Sequence, residues 1–256
     1  MRFDAHQQLW DPSVRDYEGM TGETAVLARR FGLADLRVEV ATTPIEMTVL
    51  VQAAADAAET REMLAAARRS AGTIRGVVGW VDLTAPDVRT TLEDLMGSGD
   101  GPLLVGVRHQ VHDEVDPQWL TRADVRRGLH AVSDLGLVFD LLVRPREMPA
   151  AITAARSLPG LSFVLDHMGK PPIAAGEFDP WSALLGDLAS CENVSCKLSG
   201  LVTEAAAGAS DSDFAPYVDH ALDVFGSARI LYGSDWPVCT LRCGYRDVWD
   251  LSNRLV

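Results

Sequence analysis

The residues best suited to chemistry stand at the ends of short apolar runs. The clearest case is Ile230-Leu231-Tyr232-Gly233-Ser234-Asp235-Trp236-Pro237, where a run fit for a buried strand stops at an acid. Aliphatic and aromatic side chains favour a strand over Ile230 to Tyr232, Gly233 permits close backbone approach, and Pro237 ends regular pairing. Asp235 is therefore expected at a strand's carboxyl end, where parallel α/β architectures place a general base. A loop or helix-capping aspartate is the plain alternative. An unperturbed aspartate, with a pKa of about 3.9, would serve as a base at neutral pH without tuning.

Other runs end in comparable groups. In Arg2 to Trp10, the residues Asp4, His6 and Gln8 share one period-2 phase and so one face of a strand. Gln52, Trp80 with Asp82, Arg108 with His109, Arg144, His167 and Lys197 follow or close the later runs. A lysine inside Val194-Ser195-Cys196-Lys197-Leu198-Ser199 is costly to bury without a partner or a purpose. His109 divides evenly between a site group and a hydrogen-bonded structural histidine, and Arg144 reads as a rim charge. His130 and His220 fall within helical segments and read as surface groups, while His112 is ambiguous.

The elements that must position these groups alternate. Apolar runs at 48–52, 76–83, 103–109, 137–144, 161–165, 194–199 and 230–232 follow the opening one, and helical periodicity separates them. Asp56 to Ser70 reads as a helix stopped by Gly72; Val88, Leu92, Leu95 and Met96 stripe the next, after Pro86. Val125, Leu129, Val132 and Leu135 stripe a third that ends at Gly136. Met148, Ile152 and Ala155 follow, then Trp181, Leu184, Leu185 and Leu188, then Tyr217, Ala221, Leu222 and Phe225. A last helix is expected around Tyr245 to Leu255. Parallel pairing needs crossover helices, and eight strands can close on themselves, so the prediction is α/β: a single (β/α)8 barrel of the TIM type over residues 1–256, regular or distorted. An open doubly wound sheet is the competitor, but no Gly-x-Gly-x-x-Gly follows the first strand.

Bulk properties agree. The 256 residues are 47% hydrophobic, with no linker-like break, and can bury one large core. A net charge of −13 repels phosphate backbones, so nucleic acid is not an expected partner. No apolar leader or spanning stretch stands out, so a cytoplasmic protein without a membrane partner is expected. Cys191, Cys196, Cys239 and Cys243 lack C-x-x-C spacing and read as free thiols. An oligomer is compatible with the sequence.

The chain resembles the amidohydrolase superfamily, specifically its amidohydrolase-2, sugar-lactonase-like branch. The likeness rests on Asp4-Ala5-His6-Gln7-Gln8-Leu9-Trp10, Gly106-Val107-Arg108-His109, Val164-Leu165-Asp166-His167-Met168-Gly169-Lys170-Pro171, Cys196-Lys197-Leu198-Ser199-Gly200 and Tyr232-Gly233-Ser234-Asp235-Trp236-Pro237. It implies a (β/α)8 barrel that hydrolyses cyclic esters of sugar acids, in relatives whose chains continue somewhat further. The branch pattern at the first strand is His-x-His, whereas this chain has His6-Gln7-Gln8. Glutamine substitutes poorly for imidazole at zinc. The resemblance allows a metal-independent enzyme, which is the expectation here; the alternative is a divalent ion such as zinc on His6, His167 and Asp235.

On this reading Asp235 takes a proton from the water that attacks a lactone carbonyl and returns it to the leaving alkoxide. His6 and His167 stabilise the oxyanion. Arg108, His109, Lys197, Gln8 and the indoles of Trp10, Trp80 and Trp236 bind the sugar lactone or a related carboxylate. A metal-dependent decarboxylase or amide hydrolase of the same superfamily, or a non-catalytic barrel that binds sugar acids, would use the same chamber.

Overall fold

A computed structural model describes residues 2–17 and 20–256; Met1, Glu18 and Gly19 lie outside it. Eight parallel strands pair in sequence order: β1 (Phe3–Gln7), β2 (Met47–Val51), β3 (Ile74–Gly79), β4 (Leu104–His109), β5 (Val138–Leu141), β6 (Phe163–Leu165), β7 (Val194–Leu198) and β8 (Ile230–Tyr232). The connecting helices are α1 (Leu33–Val40), α2 (Ala57–Arg69), α3 (Val88–Met96), α4 (Ala123–Asp134), α5 (Met148–Ser157), α6 (Trp181–Ala189), α7 (Leu201–Glu204), α8 (Asp211–Phe225) and α9 (Tyr245–Leu255). The single (β/α)8 barrel is thus present. Helices α2 to α6, α8 and α9 fall where apolar periodicity places them, and Asp56 caps α2 by accepting from Ala58 N at 2.8 Å. Helix α1 carries only one buried residue, Leu36, so it has no stripe to read.

The seam of the barrel closes just beyond β8 rather than along it. Asp235 N donates to His6 O at 2.9 Å and Gln8 N to Trp236 O at 2.7 Å, so the backbone on either side of the expected base is tied to the first strand. Asp4 secures the same seam. Its buried carboxylate accepts from Ser234 N at 2.9 Å, Ser234 Oγ at 2.6 Å, Tyr245 Oη at 3.0 Å and His6 N at 3.0 Å. Burial raises the Asp4 pKa against the pull of these donors.

The first strand departs from simple alternation. Asp4 pairs with Thr48 but Gln7 with Leu50, so β1 holds one residue more than β2 between those points. The bulge buries Gln7 as well as Asp4 and His6. All four cysteines are free thiols. Among the described residues no helix is long and apolar enough to cross a membrane.

Candidate active site

Three groups from distant parts of the chain meet where the strands end. His6 comes from β1, His167 from the turn after β6, and Asp235 from the turn after β8. Asp235 Oδ1 lies 3.8 Å from His6 Nε2 and 3.8 Å from His167 Nε2, and the two imidazole centroids are 4.5 Å apart. His167 and Asp235 both adopt the left-handed backbone region, with φ of 53° and 55°. Non-glycine residues are uncommon there, and such conformations persist only when the surroundings hold them. Gly233 makes room for this convergence: a β-carbon on it would stand 2.7 Å from His6 Cβ and 2.9 Å from Ser199 Cβ.

The electrostatics differ from the expectation of an untuned base. Burial pushes the Asp235 carboxyl up to about 7, against the opposing fields of Lys170 and Arg108. Burial, opposed by Asp166 and aided by Lys197, pushes His6 down to about 3. Burial and the neighbouring His6 hold His167 well below the usual imidazole range. Burial therefore favours the neutral form of both imidazoles and pushes the carboxyl between them up to about 7.

A buried ionic layer supports it. Asp166 receives Arg108 Nη1 at 2.9 Å and Lys197 Nζ at 2.8 Å, and Lys197 also donates to Asp140. Burial alone would raise the Asp166 pKa, but Lys197, His6 and Arg108 hold it well below the carboxylate range. Lys197 stays protonated because Asp140 and Asp166 outweigh its desolvation. His6 Nδ1 lies 3.3 Å from Asp166 Oδ1, and Arg108 Nη1 lies 3.3 Å from His6 Nε2. Lys197 Nζ, which like a guanidinium only donates, lies 3.4 Å from His6 Nδ1, so His6 has a cation beside each ring nitrogen, with Asp166 Oδ1 also facing Nδ1.

The other nominated residues are distributed around this centre. Gln8 donates its amide to Gln52 O at 2.8 Å and lines a cavity of about 740 Å³ together with Trp10, His109, Gln110 and Val238. His109 has both ring nitrogens engaged: Trp80 Nε1 donates to Nδ1 at 3.1 Å, and Nε2 bonds Glu114 Oε1 at 2.8 Å. Its ring stacks on Trp119 at 4.2 Å between centroids. Trp10 donates to Leu27 O at 3.0 Å and packs edge-on against Phe31. Trp236 is enclosed in the core, also against Phe31. Arg144 and His130 are exposed, and His220 is half-buried beneath a contact with Ser182 O. His112 is half-buried; burial, then Lys170 and Arg144, push it down to about 3.

Sequence reasoning left three participants without roles: Asp140, Asp166 and Ser199. Asp166 stood inside a quoted motif, masked by its neighbour His167. Asp140 had a signal of its own. A lone acid in one apolar run and a lone base, Lys197, in another are candidates for one buried pair, and β5 and β7 are alternate strands that contribute to one layer of a barrel.

Residues 3–255 match the model of the amidohydrolase family. The chain belongs to this family. An L-fucono-1,5-lactonase of Burkholderia ambifaria is 37% identical over 246 residues, which span 96% of this chain and 83% of that protein. An L-fucono-1,5-lactonase of Burkholderia multivorans is 37% identical over 265 residues, spanning 99% of this chain and 88% of that one. The crystal structure of an amidohydrolase from Burkholderia multivorans with bound zinc is 37% identical and superimposes with a TM-score of 0.92, covering 100% of this chain and 91% of that chain.

The amidohydrolase centre described here meets part of the requirement for such an ion. The ligand atoms of His6, His167 and Asp235 lie within 4.8 Å of one another. A tetrahedral ion with bonds of about 2.0–2.1 Å separates its ligands by roughly 3.3 Å, so the two 3.8 Å spacings to Asp235 must contract for the three to hold one. The neutral imidazoles suit that role, while Arg108 competes for the His6 Nε2 lone pair.

Proposed function

We propose that this amidohydrolase opens sugar-acid lactones by water attack, with L-fucono-1,5-lactone the first substrate to test. The observation that carries this reading is the buried Asp235 carboxyl, 3.8 Å from each of two imidazoles at the strand ends of the barrel, with burial pushing its pKa up. The two L-fucono-1,5-lactonase relatives supply the substrate class.

In the first step Asp235 accepts a proton as the water oxygen bonds to the lactone carbonyl carbon, and the carbonyl π pair moves onto its oxygen. That oxyanion is stabilised by N–H donation, a contribution typically worth about 3 kcal/mol for one well-aimed donor. The tetrahedral intermediate then collapses: the carbonyl re-forms, the ring C–O bond breaks, and Asp235 returns its proton to the departing alkoxide oxygen. The hydroxy acid loses its carboxyl proton to solvent. A pKa near 7 suits a group that must first accept and then donate at neutral pH.

His6, held by Asp166 and Arg108, fixes the Asp235 side of the chamber. The cavity bordered by Gln8, Trp10, His109 and Gln110 receives the hydroxyl-bearing face of the sugar, with Trp80 orienting His109. Arg108 and Lys197 act from below by their fields, and Trp236 packs behind the base. No metal is required on this reading. When one is bound, His6, His167 and Asp235 would hold it, and it would supply Lewis-acid polarisation of water or carbonyl oxygen.

Acid release from a panel of aldonolactones tests the proposal, with Asp235→Asn as the control. The variant should fold and lose about 10²–10⁴-fold in kcat/KM. Wild-type turnover by that variant would remove Asp235 from the role of base. Release of carbon dioxide or ammonia from suitable substrates would instead support a decarboxylase or amide hydrolase, and binding without turnover would support a sugar-acid-binding barrel.

A further inference from the structure

The geometry points to Ser199 as a positioning residue that sets the tautomer of His167, so that His167 presents an N–H, rather than a lone pair, to the reacting oxygen. The identity of that oxygen as a lactone oxyanion rests on the proposed function; the tautomer does not.

Ser199 follows β7, and its side chain is buried. Its Oγ lies 2.8 Å from His167 Nδ1, and among the described residues that nitrogen is the acceptor this hydroxyl reaches. A buried hydroxyl hydrogen without an acceptor is costly, so Ser199 donates and Nδ1 accepts. A neutral imidazole has one N–H, which then falls on Nε2. Nε2 is the atom 3.8 Å from Asp235 Oδ1, at the point where substrate and water must meet the base. The backbone enforces the pairing. Gly200, at φ +67°, brings its α-carbon against the ring, and a β-carbon there would sit 2.6 Å from His167 Nδ1.

The two histidines are therefore not equivalent. His6 Nδ1 stands between Asp166 Oδ1 at 3.3 Å and Lys197 Nζ at 3.4 Å, with Arg108 Nη1 3.3 Å from Nε2, whereas His167 accepts at Nδ1 from Ser199 and offers a hydrogen at Nε2. His6 is set between two cations and Asp166; His167 is the oxyanion donor. Metal-bound histidines usually donate their second nitrogen to a carboxylate, carbonyl or water. Ser199 favours the opposite arrangement, and an ion could be ligated by His167 only after the Ser199 hydroxyl bond is reversed.

Nitrogen-15 NMR of the whole protein labelled at histidine, in metal-free buffer at neutral pH, tests this directly, with His167 signals assigned by their loss in His167→Gln. The expected spectrum has an unprotonated, pyridine-type Nδ1 and a protonated, pyrrole-type Nε2. A pyrrole-type Nδ1 in the wild type would overturn the proposal. Ser199→Ala should shift these resonances toward a tautomer mixture and lower kcat about tenfold with KM little changed; unchanged resonances would overturn it. Ser199→Asp, which only accepts, should move the proton to Nδ1 and tighten zinc binding by about tenfold or more in calorimetry with zinc alone. Zinc affinity equal to or weaker than the wild type would count against it. The expected spectrum without any lactone turnover would refute the functional reading and leave the tautomer assignment standing.

Discussion

Lys197 Nζ stands 2.8 Å from Asp166 Oδ1, and both side chains are excluded from solvent. The same ammonium bonds Asp140, so one cation neutralises two carboxylates beneath the centre. Removing one member of a buried ionic group costs more than the group contributes, because the partners remain charged and unpaired. Lys197→Met is expected to destabilise the fold by about 3–5 kcal/mol. Urea denaturation followed by circular dichroism measures this. Lys197→Met combined with Asp140→Asn should recover part of the loss, and additivity of the two single changes would contradict the coupling.

The state of Asp235 sets the pH dependence. Burial raises its carboxyl to about 7, and on the proposed mechanism the basic form accepts the proton of water. As pH falls through about 7 that form disappears, so kcat/KM should drop about tenfold per pH unit on the acid side and level off above it. Initial rates between pH 5 and 9, corrected for spontaneous lactone opening, give the profile. An acid limb centred near pH 4 would mean that the carboxyl is not desolvated in the working enzyme.

Much of this arrangement was legible in the chain because strand, turn and acid coincide at Ile230 to Asp235, and because amphipathic stripes such as Val125, Leu129 and Val132 mark the crossover helices. Pairing was harder to see. Lys197 read as a ligand for substrate; that Asp140 and Asp166 share its layer is a tertiary relationship that a sequence cannot show. Trp10 and Trp236 read as sugar platforms; both rings pack against Phe31, and Trp10 also borders the cavity beside Gln8. The period-2 face proposed for Asp4, His6 and Gln8 is interrupted by a bulge that pattern alone does not register. The raised pKa of Asp235 likewise depends on tertiary burial, which no local spacing specifies.

The metal question has a quantitative form. With Arg108 Nη1 3.3 Å from His6 Nε2, an ion must displace a guanidinium contact to gain that ligand. Protein dialysed against a chelator, shown free of zinc by elemental analysis, should retain its lactone hydrolysis within about twofold of the untreated enzyme, because on the proposed mechanism Asp235 rather than a metal activates the water. Loss of activity on chelation, restored by stoichiometric zinc, would replace Asp235 as the primary activator of water.

Gly200 offers a separate handle on the donor side of the site. Its φ of +67° lies in the left-handed region, and a β-carbon there would meet His167 Nδ1 at 2.6 Å and Cγ at 2.7 Å. Gly200→Ala therefore imposes backbone strain, on the order of 1–3 kcal/mol, and pushes the imidazole off the Ser199 hydroxyl. The barrel's core does not depend on this contact, so the variant should remain folded with a lowered Tm, while kcat falls more than tenfold because the Nε2 hydrogen no longer faces Asp235. Thermal unfolding and steady-state kinetics on the same preparation separate the two effects. A variant with lowered Tm but wild-type kcat would show that the placement of His167 does not limit turnover.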